Sequence, residues 1–187
     1  MSEDKFLACL AFTLKFEGGY VDHPADPGGA TNLGVTRATL AKWRGRAVTK
    51  AEVRTLSHAD AADIYHRYFW EPCGGPMLPS GIDAFIFDWA VHSGPSRAVR
   101  ALQKVLGLKS DGLPSVALQH ALLNADIVRT IKAVCSERRK FLARLKGFAV
   151  FGRGWSRRVD ALEKTALSMA HLVKQSRSGA KEISKGE

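Results

Sequence analysis

Glu17 closes an apolar-patterned segment, and the loop after it carries Asp22 and Asp26 among prolines and glycines in "KFEGGYVDHPADPGGATNLGVT", residues 15–36. A carboxyl held at the end of a rigid element, facing a loop with further carboxylates, suits acid/base chemistry on a polymer. The residues alone also allow a plainer reading, a helix-end glutamate followed by a polar turn. For Asp26, which precedes Pro27, the plainer reading is an Asx turn. Asp22 is its rival as second carboxylate. Thr31 offers a hydroxyl that can orient a water or simply stabilise the turn.

The elements that would position these groups follow from apolar spacing. Phe6, Leu7, Leu10 and Leu14 recur at helical intervals, so residues 3–16 read as an amphipathic helix stopped by Gly18 and Gly19. Residues 20–35 are turn-rich, with short extended pieces around 20–21 and 33–35, the one place for a small β-hairpin. From Thr36 onward the signals are helical. Thr36 caps "RATLAKW", Thr49 with Glu52 fits a capping box, and Ser57 with Asp60 caps "AADIYHRYFW". "EPCGGPMLPSG", residues 71–81, reads as a loop between two subregions. "IDAFIFDWAVHSG" is apolar on most sides and reads as a buried central helix. Pro95 opens a helix closed by Gly107, and "LPSVALQHALL" forms a short one. Asn124 caps a helix running to about residue 145, and another spans about 155–173.

The chain has 187 residues, 45% hydrophobic and 25% charged, enough for a real core. Its net charge of +10 favours polyanionic partners such as nucleic acid, anionic membrane surfaces or wall polymers, or is simply a solvated surface. Cys9, Cys73 and Cys135 are widely spaced without a CxxC pair, which points away from a zinc site or disulfide framework. The six histidines include no HExxH, and no metal or cofactor is expected. No apolar run approaches the roughly 18 residues of a membrane span. "MSEDKFLACLAFTLKFEGG" has acidic residues where a signal peptide is basic, so synthesis in the cytoplasm without a signal peptide is expected.

Three stretches carry a resemblance: "EGGYVDHPADPGGATNLGVT", "FDWAVHSGPSRAVRALQKVLG" with "SDG" after it, and "SERRKFLARLKGFAVFGRGWSRRV". In this order they resemble the motifs of glycoside hydrolase family 108, the N-acetylmuramidases with a C-terminal peptidoglycan-binding region. The likeness covers roughly residues 5–170. It implies a mainly α, lysozyme-like α+β fold with one small β-hairpin and eight or nine helices. It implies a catalytic part at 1–75 and a helical part at 76–173, possibly peptidoglycan-binding, the two packed as one compact unit. A disordered polar tail at 174–187 is expected beyond them. The glutamate of EGGY is the family's catalytic acid, here Glu17. The chain departs from the family at His92, where Asn is usual. Ser115 and Ala117 stand where peptidoglycan-binding modules tend to show glycine and threonine.

Glycoside cleavage uses one carboxyl as proton donor and a second, ionised, that handles water or the developing cation. The separation of Glu17 and Asp26 is similar to that across the hairpin of phage-type lysozymes, with Thr31 placed to help hold a water. Tyr20, Asn32, Tyr65 and Trp70 are candidates for binding sugar, although most of a cluster such as "YHRYFW" is normally core. Asp88 in the apolar helix needs partners. It reads either as organising a cleft floor with His92 or as part of a structural ion pair. The basic segments read as solvated helix faces, or as attraction to anionic wall or outer-leaflet lipid.

The expectation is a muramidase hydrolysing the β-1,4 bond between N-acetylmuramic acid and N-acetylglucosamine. It would act on peptidoglycan glycan strands as a monomer, in the periplasm or envelope after holin-type or specialised release. The alternatives are a non-enzymatic basic protein that binds wall polymer or nucleic acid, and a lytic transglycosylase. The chain carries no nucleic-acid recognition motif, so that partner is not expected.

Overall fold

The computed structural model describes residues 2–22 and 29–183, which divide into two units, Met1–Glu71 and Pro72–Glu187. Among the described residues there are nine α-helices and one two-stranded antiparallel hairpin.

In the first unit, α1 (Ser2–Leu14) is followed by β1 (Thr31–Asn32) and β2 (Val35–Thr36), then α2 (Arg37–Arg44), α3 (Lys50–Arg54) and α4 (His58–Tyr65). The chain leaves α4 through a π-helical turn, His66–Trp70. Beyond α1, Lys15, Phe16 and Glu17 donate to the carbonyls three residues back, at 3.2, 3.0 and 3.3 Å. The expected helix end at 16 is therefore a tightened last turn, with Glu17 at its tip.

The pairs Thr31↔Thr36 and Asn32↔Val35 leave a two-residue turn at Leu33 (φ 49°) and Gly34 (φ 73°). Two successive left-handed residues make the type I′ turn whose twist suits a hairpin. Leu33 thus occupies the turn, not a strand. Val21 bonds Thr31 on the other side, N–H to O at 2.8 Å in both directions.

The caps behave as their residue types dictate. Thr36 Oγ1 accepts from Thr39 N at 3.1 Å, and Ser57 Oγ accepts from Asp60 N at 3.0 Å. Thr49 and Glu52 form a reciprocal box, Thr49 N to Glu52 Oε2 at 2.8 Å and Glu52 N to Thr49 Oγ1 at 3.2 Å. Phe6, Leu10, Leu40, Val53, Ile64 and Trp70 are buried in this unit's core.

The second unit contains α5 (Ile82–Ser93), α6 (Pro95–Val105), α7 (Val116–Leu123), α8 (Ile127–Ala143) and α9 (Phe148–Ile183). Every residue of α5 from Ile82 to Ala90 is buried, and α6, α8 and α9 pack against it. An apolar helix without a polar stripe has no stable place except inside such a ring.

Two helix ends differ from expectation. Asp126, not Asn124, caps α8, its Oδ1 accepting from Arg129 N at 3.0 Å. Asn124 instead ends α7, with Nδ2 donating to His120 O at 3.1 Å. Both residue types cap well, and the chain needs Asn124 and Ala125 to turn between the helices. α9 begins at Phe148, ahead of the expected 155, because Gly152 and Gly154 are tolerated inside it. It continues to Ile183, through most of the segment expected as a tail. No helix among the described residues is long and apolar enough to cross a membrane.

Candidate active site

The first unit brings the carboxyl of Glu17 against the hairpin tip. A Cβ built on Gly34 would collide with Tyr65 Oη and would stand 2.9 Å from Glu17 Oε2 and 3.1 Å from Glu17 Cγ. Glu17 is half-buried there. Tyr65, 1% exposed on α4, donates its hydroxyl to Leu33 O at 3.0 Å. The turn is therefore held from α4 by a tyrosine and lies directly on the carboxyl that follows α1. Glycine is required at 34 both for its left-handed φ and for this close approach.

The neighbouring candidates have specific partners. Asn32 Nδ2 donates to Val53 O at 3.1 Å and Arg54 O at 2.9 Å. It satisfies carbonyls left open at the end of α3 and so ties the hairpin to that helix. Thr31 Oγ1 reaches Gly29 O at 3.4 Å. The Arg54 guanidinium lies over the Tyr20 ring, 4.5 Å from its centroid. Tyr20, Asp22, Lys50, Ala51, Arg54 and Thr55 line a shallow depression of about 310 Å³. Asp22 Oδ2 pairs with Lys50 Nζ at 3.1 Å. Asp26 lies outside the described residues.

Two aromatic candidates sit differently from their expected place on a sugar-binding surface. Trp70 is 0% exposed, with its ring against Phe6 at 5.5 Å. Tyr65 serves the turn through its hydroxyl while its ring is buried. Both rings are packed inside this unit, so neither presents a face to solvent.

In the second unit Asp88 is fully buried with two arginines. Arg138 Nη1 donates to Oδ2 at 2.7 Å, Arg158 Nη2 donates to Oδ1 at 2.7 Å, and Arg158 Nε lies 3.1 and 3.2 Å from the two oxygens. This triad joins α5, α8 and α9. Burial pushes the Asp88 carboxyl up, but the two guanidiniums outweigh it and hold the group below the usual carboxylate range. His92, one turn on, places Nδ1 3.2 Å from Ser93 Oγ and its ring edge-on to Trp155 at 5.9 Å. Burial lowers its pKa, as do Arg138 and Arg158, while Asp88 acts the other way. The imidazole is therefore neutral at neutral pH.

Sequence reasoning missed Arg138 and Arg158 as partners of Asp88. The available signal was their position: each falls on an otherwise apolar helix face, Arg138 with Val134 and Leu142, Arg158 with Leu162. The "SDG" motif is a clamped turn. Gln103 Nε2 donates to Asp111 Oδ1 at 2.7 Å and Leu113 O at 3.0 Å, and its Oε1 accepts from Gly112 N at 2.8 Å. No group of three or more His, Cys, Asp or Glu side chains gathers to hold a metal among the described residues.

A mainly helical chain whose one small hairpin closes on a carboxyl at the end of the first helix has the lysozyme-like α+β fold. The family model for glycosyl hydrolase 108 matches residues 10–94, which include Glu17, the hairpin and α5. The solved structure of Brucella abortus SagA is 43% identical, with a TM-score of 0.81, and the match covers 90% of this chain and 97% of that one. No curated protein sequence matches. Residues 10–94 thus carry a glycosyl hydrolase 108 match, which supports a peptidoglycan-hydrolysing glycosidase.

Proposed function

We propose that the chain is an N-acetylmuramidase that hydrolyses the β-1,4 bond from N-acetylmuramic acid to N-acetylglucosamine, with Glu17 as general acid. The observation that carries this reading is the Glu17 carboxyl lying on Gly34 at the tip of a tyrosine-held hairpin. A proton donor must keep its geometry while the leaving oxygen departs, and this contact restrains both the carboxyl and the turn. Asp26 acts as the second carboxylate, on a water that Thr31 helps to hold. Asp22 is disfavoured for that role because Lys50 already occupies it.

A zymogram on purified peptidoglycan separates this reading from a binding-only protein, since only an enzyme clears the gel. Asp26→Asn is expected to lower turnover by about 10²–10⁴-fold, the usual scale of acid/base help. Asp22→Asn is expected to stay near the wild-type rate. Near-normal turnover of Asp26→Asn would remove Asp26 from the mechanism.

Gly34→Ala provides a test of geometry. Alanine in a left-handed conformation costs about 1–2 kcal/mol. Its methyl must also displace Glu17 or Tyr65. A displacement of about 1 Å near reacting groups costs about 10²-fold in rate. The expected outcome is a modest fall in melting temperature with a disproportionate loss of turnover. An unchanged rate would show that Glu17 does not need the hairpin tip.

A further inference from the structure

The stretch from Arg138 to Arg158 holds eight cationic residues and no acidic one. Four have acidic partners: Arg138 and Arg158 on Asp88, Arg139 on Asp160 and Glu163, and Lys140 on Glu137. The other four, Arg144, Lys146, Arg153 and Arg157, are exposed and have no acidic partner among the described residues.

Large apolar groups stand exposed among these free cations: Phe148 at 37%, Val150 at 76% and Phe151 at 58%. Phe148, Phe151 and Trp155 share one helical face, with Trp155 centred 6.4 Å from Phe148 and 5.9 Å from Phe151. Glycines make room for the rings. A Cβ on Gly152 would stand 3.0 Å from the Phe148 ring, and one on Gly147 would stand 3.2 Å from Phe151 and 3.4 Å from Trp155. An open groove of about 890 Å³ runs alongside, lined in part by Phe148, Val150, Arg153 and Arg157. Trp155 also meets His92, so the patch is braced against α5.

A merely solvated cationic face does not account for outward phenylalanine and valine side by side. A sugar platform has no use for Val150, and the groove offers few neutral hydrogen-bonding side chains. Apolar side chains ringed by unpaired arginine and lysine match the chemistry of a membrane interface, with acyl chains below and phosphates around. We propose that the start of α9 is a docking surface for an anionic phospholipid bilayer. Val150 and Phe151, the most exposed of the three, enter the headgroup–acyl boundary, Phe148 backs them against Trp155, and Arg144, Lys146, Arg153 and Arg157 meet lipid phosphates. This role is independent of the proposed reaction, because it is read without turnover.

Flotation with vesicles tests it. The full chain is mixed with phosphatidylglycerol/phosphatidylethanolamine vesicles or with pure phosphatidylcholine vesicles. It is expected to float with the first and not the second, and to detach as salt rises. Val150→Ser with Phe151→Ser should weaken partition about tenfold or more, through lost apolar burial. Arg153→Ser with Arg157→Ser should weaken it about ten- to thirtyfold, from two lost phosphate contacts. All four residues are exposed, so circular dichroism should match wild type. Failure of the wild-type chain to float, or unchanged partition of both double variants, would overturn the proposal. So would loss of sedimentation with lipid-free peptidoglycan in these variants, or a solution dimer that they abolish. Those results would assign the patch to glycan or to a second copy.

Discussion

Replacing Glu17 by glutamine should leave the fold intact and remove nearly all hydrolysis of peptidoglycan. Glutamine has the shape of glutamate and can still lie against Gly34 at the hairpin tip. The half-buried position keeps its packing. An amide, however, does not donate a proton of the acidity that the leaving sugar oxygen needs. The loss should reach or exceed the upper end of the roughly 10²–10⁴-fold scale for acid/base help. Purified Glu17→Gln should match wild type by circular dichroism and melting temperature while failing to clear peptidoglycan. Asp22→Asn is the matched control: it removes a nearby carboxylate that is already paired with Lys50, and its rate should stay close to wild type. Near-normal turnover of folded Glu17→Gln would dismiss this residue as the acid.

The largest effect on stability is expected at Asp88. Asp88→Asn keeps the side-chain volume but leaves Arg138 and Arg158 facing each other without a counter-charge. Breaking a buried ion pair by removing one partner costs about 3–5 kcal/mol, because the remaining charge stays desolvated. For a chain of this length that corresponds to roughly 10 °C in melting temperature. A shift of a degree or less would show that water reaches the two guanidiniums. The same triad gives stability a pH dependence. The Asp88 carboxyl is held below its ordinary 3.8, so its contribution is present above that value and is lost as pH falls through the lower folded pKa. His92 acts earlier. Its folded pKa lies below the ordinary 6.5, so the unfolded chain takes up the proton first and stability declines as pH falls beneath 6.5. Thermal melts between about pH 7 and 3 should show two successive losses. Asp88→Asn should shrink the lower one, to which Glu52, Asp111 and Glu137, all held below their ordinary values, also contribute, and His92→Asn should remove the upper one.

The sequence carried the local devices well, because each depends on residues a few positions apart. Thr36, the Thr49–Glu52 box and Ser57 announce their helices through side chains that reach only three residues. The apolar run of α5 predicts a buried helix for the same reason. The turn at Leu33–Gly34 was harder to read, because leucine rarely accepts a positive φ and only the "NLGV" context places it there. Long-range partners left weaker traces. Nothing near Asp88 in the chain says that Arg138 and Arg158 come to it from two later helices. Trp70 is buried at the end of a π-helical turn that periodicity does not reveal. The EGGY glutamate was legible as a residue. Its approach to the hairpin tip at Gly34 was not, since that brings together elements far apart in the chain.

Mass spectrometry of the fragments released from purified peptidoglycan tests the central claim most directly. The account predicts disaccharide-peptides that end in reducing N-acetylmuramic acid, released by wild type and absent with Glu17→Gln. Anhydro-muramic ends would make the chain a lytic transglycosylase, and reducing N-acetylglucosamine ends would show that it cuts the other bond of the glycan. Either result would contradict the muramidase reading.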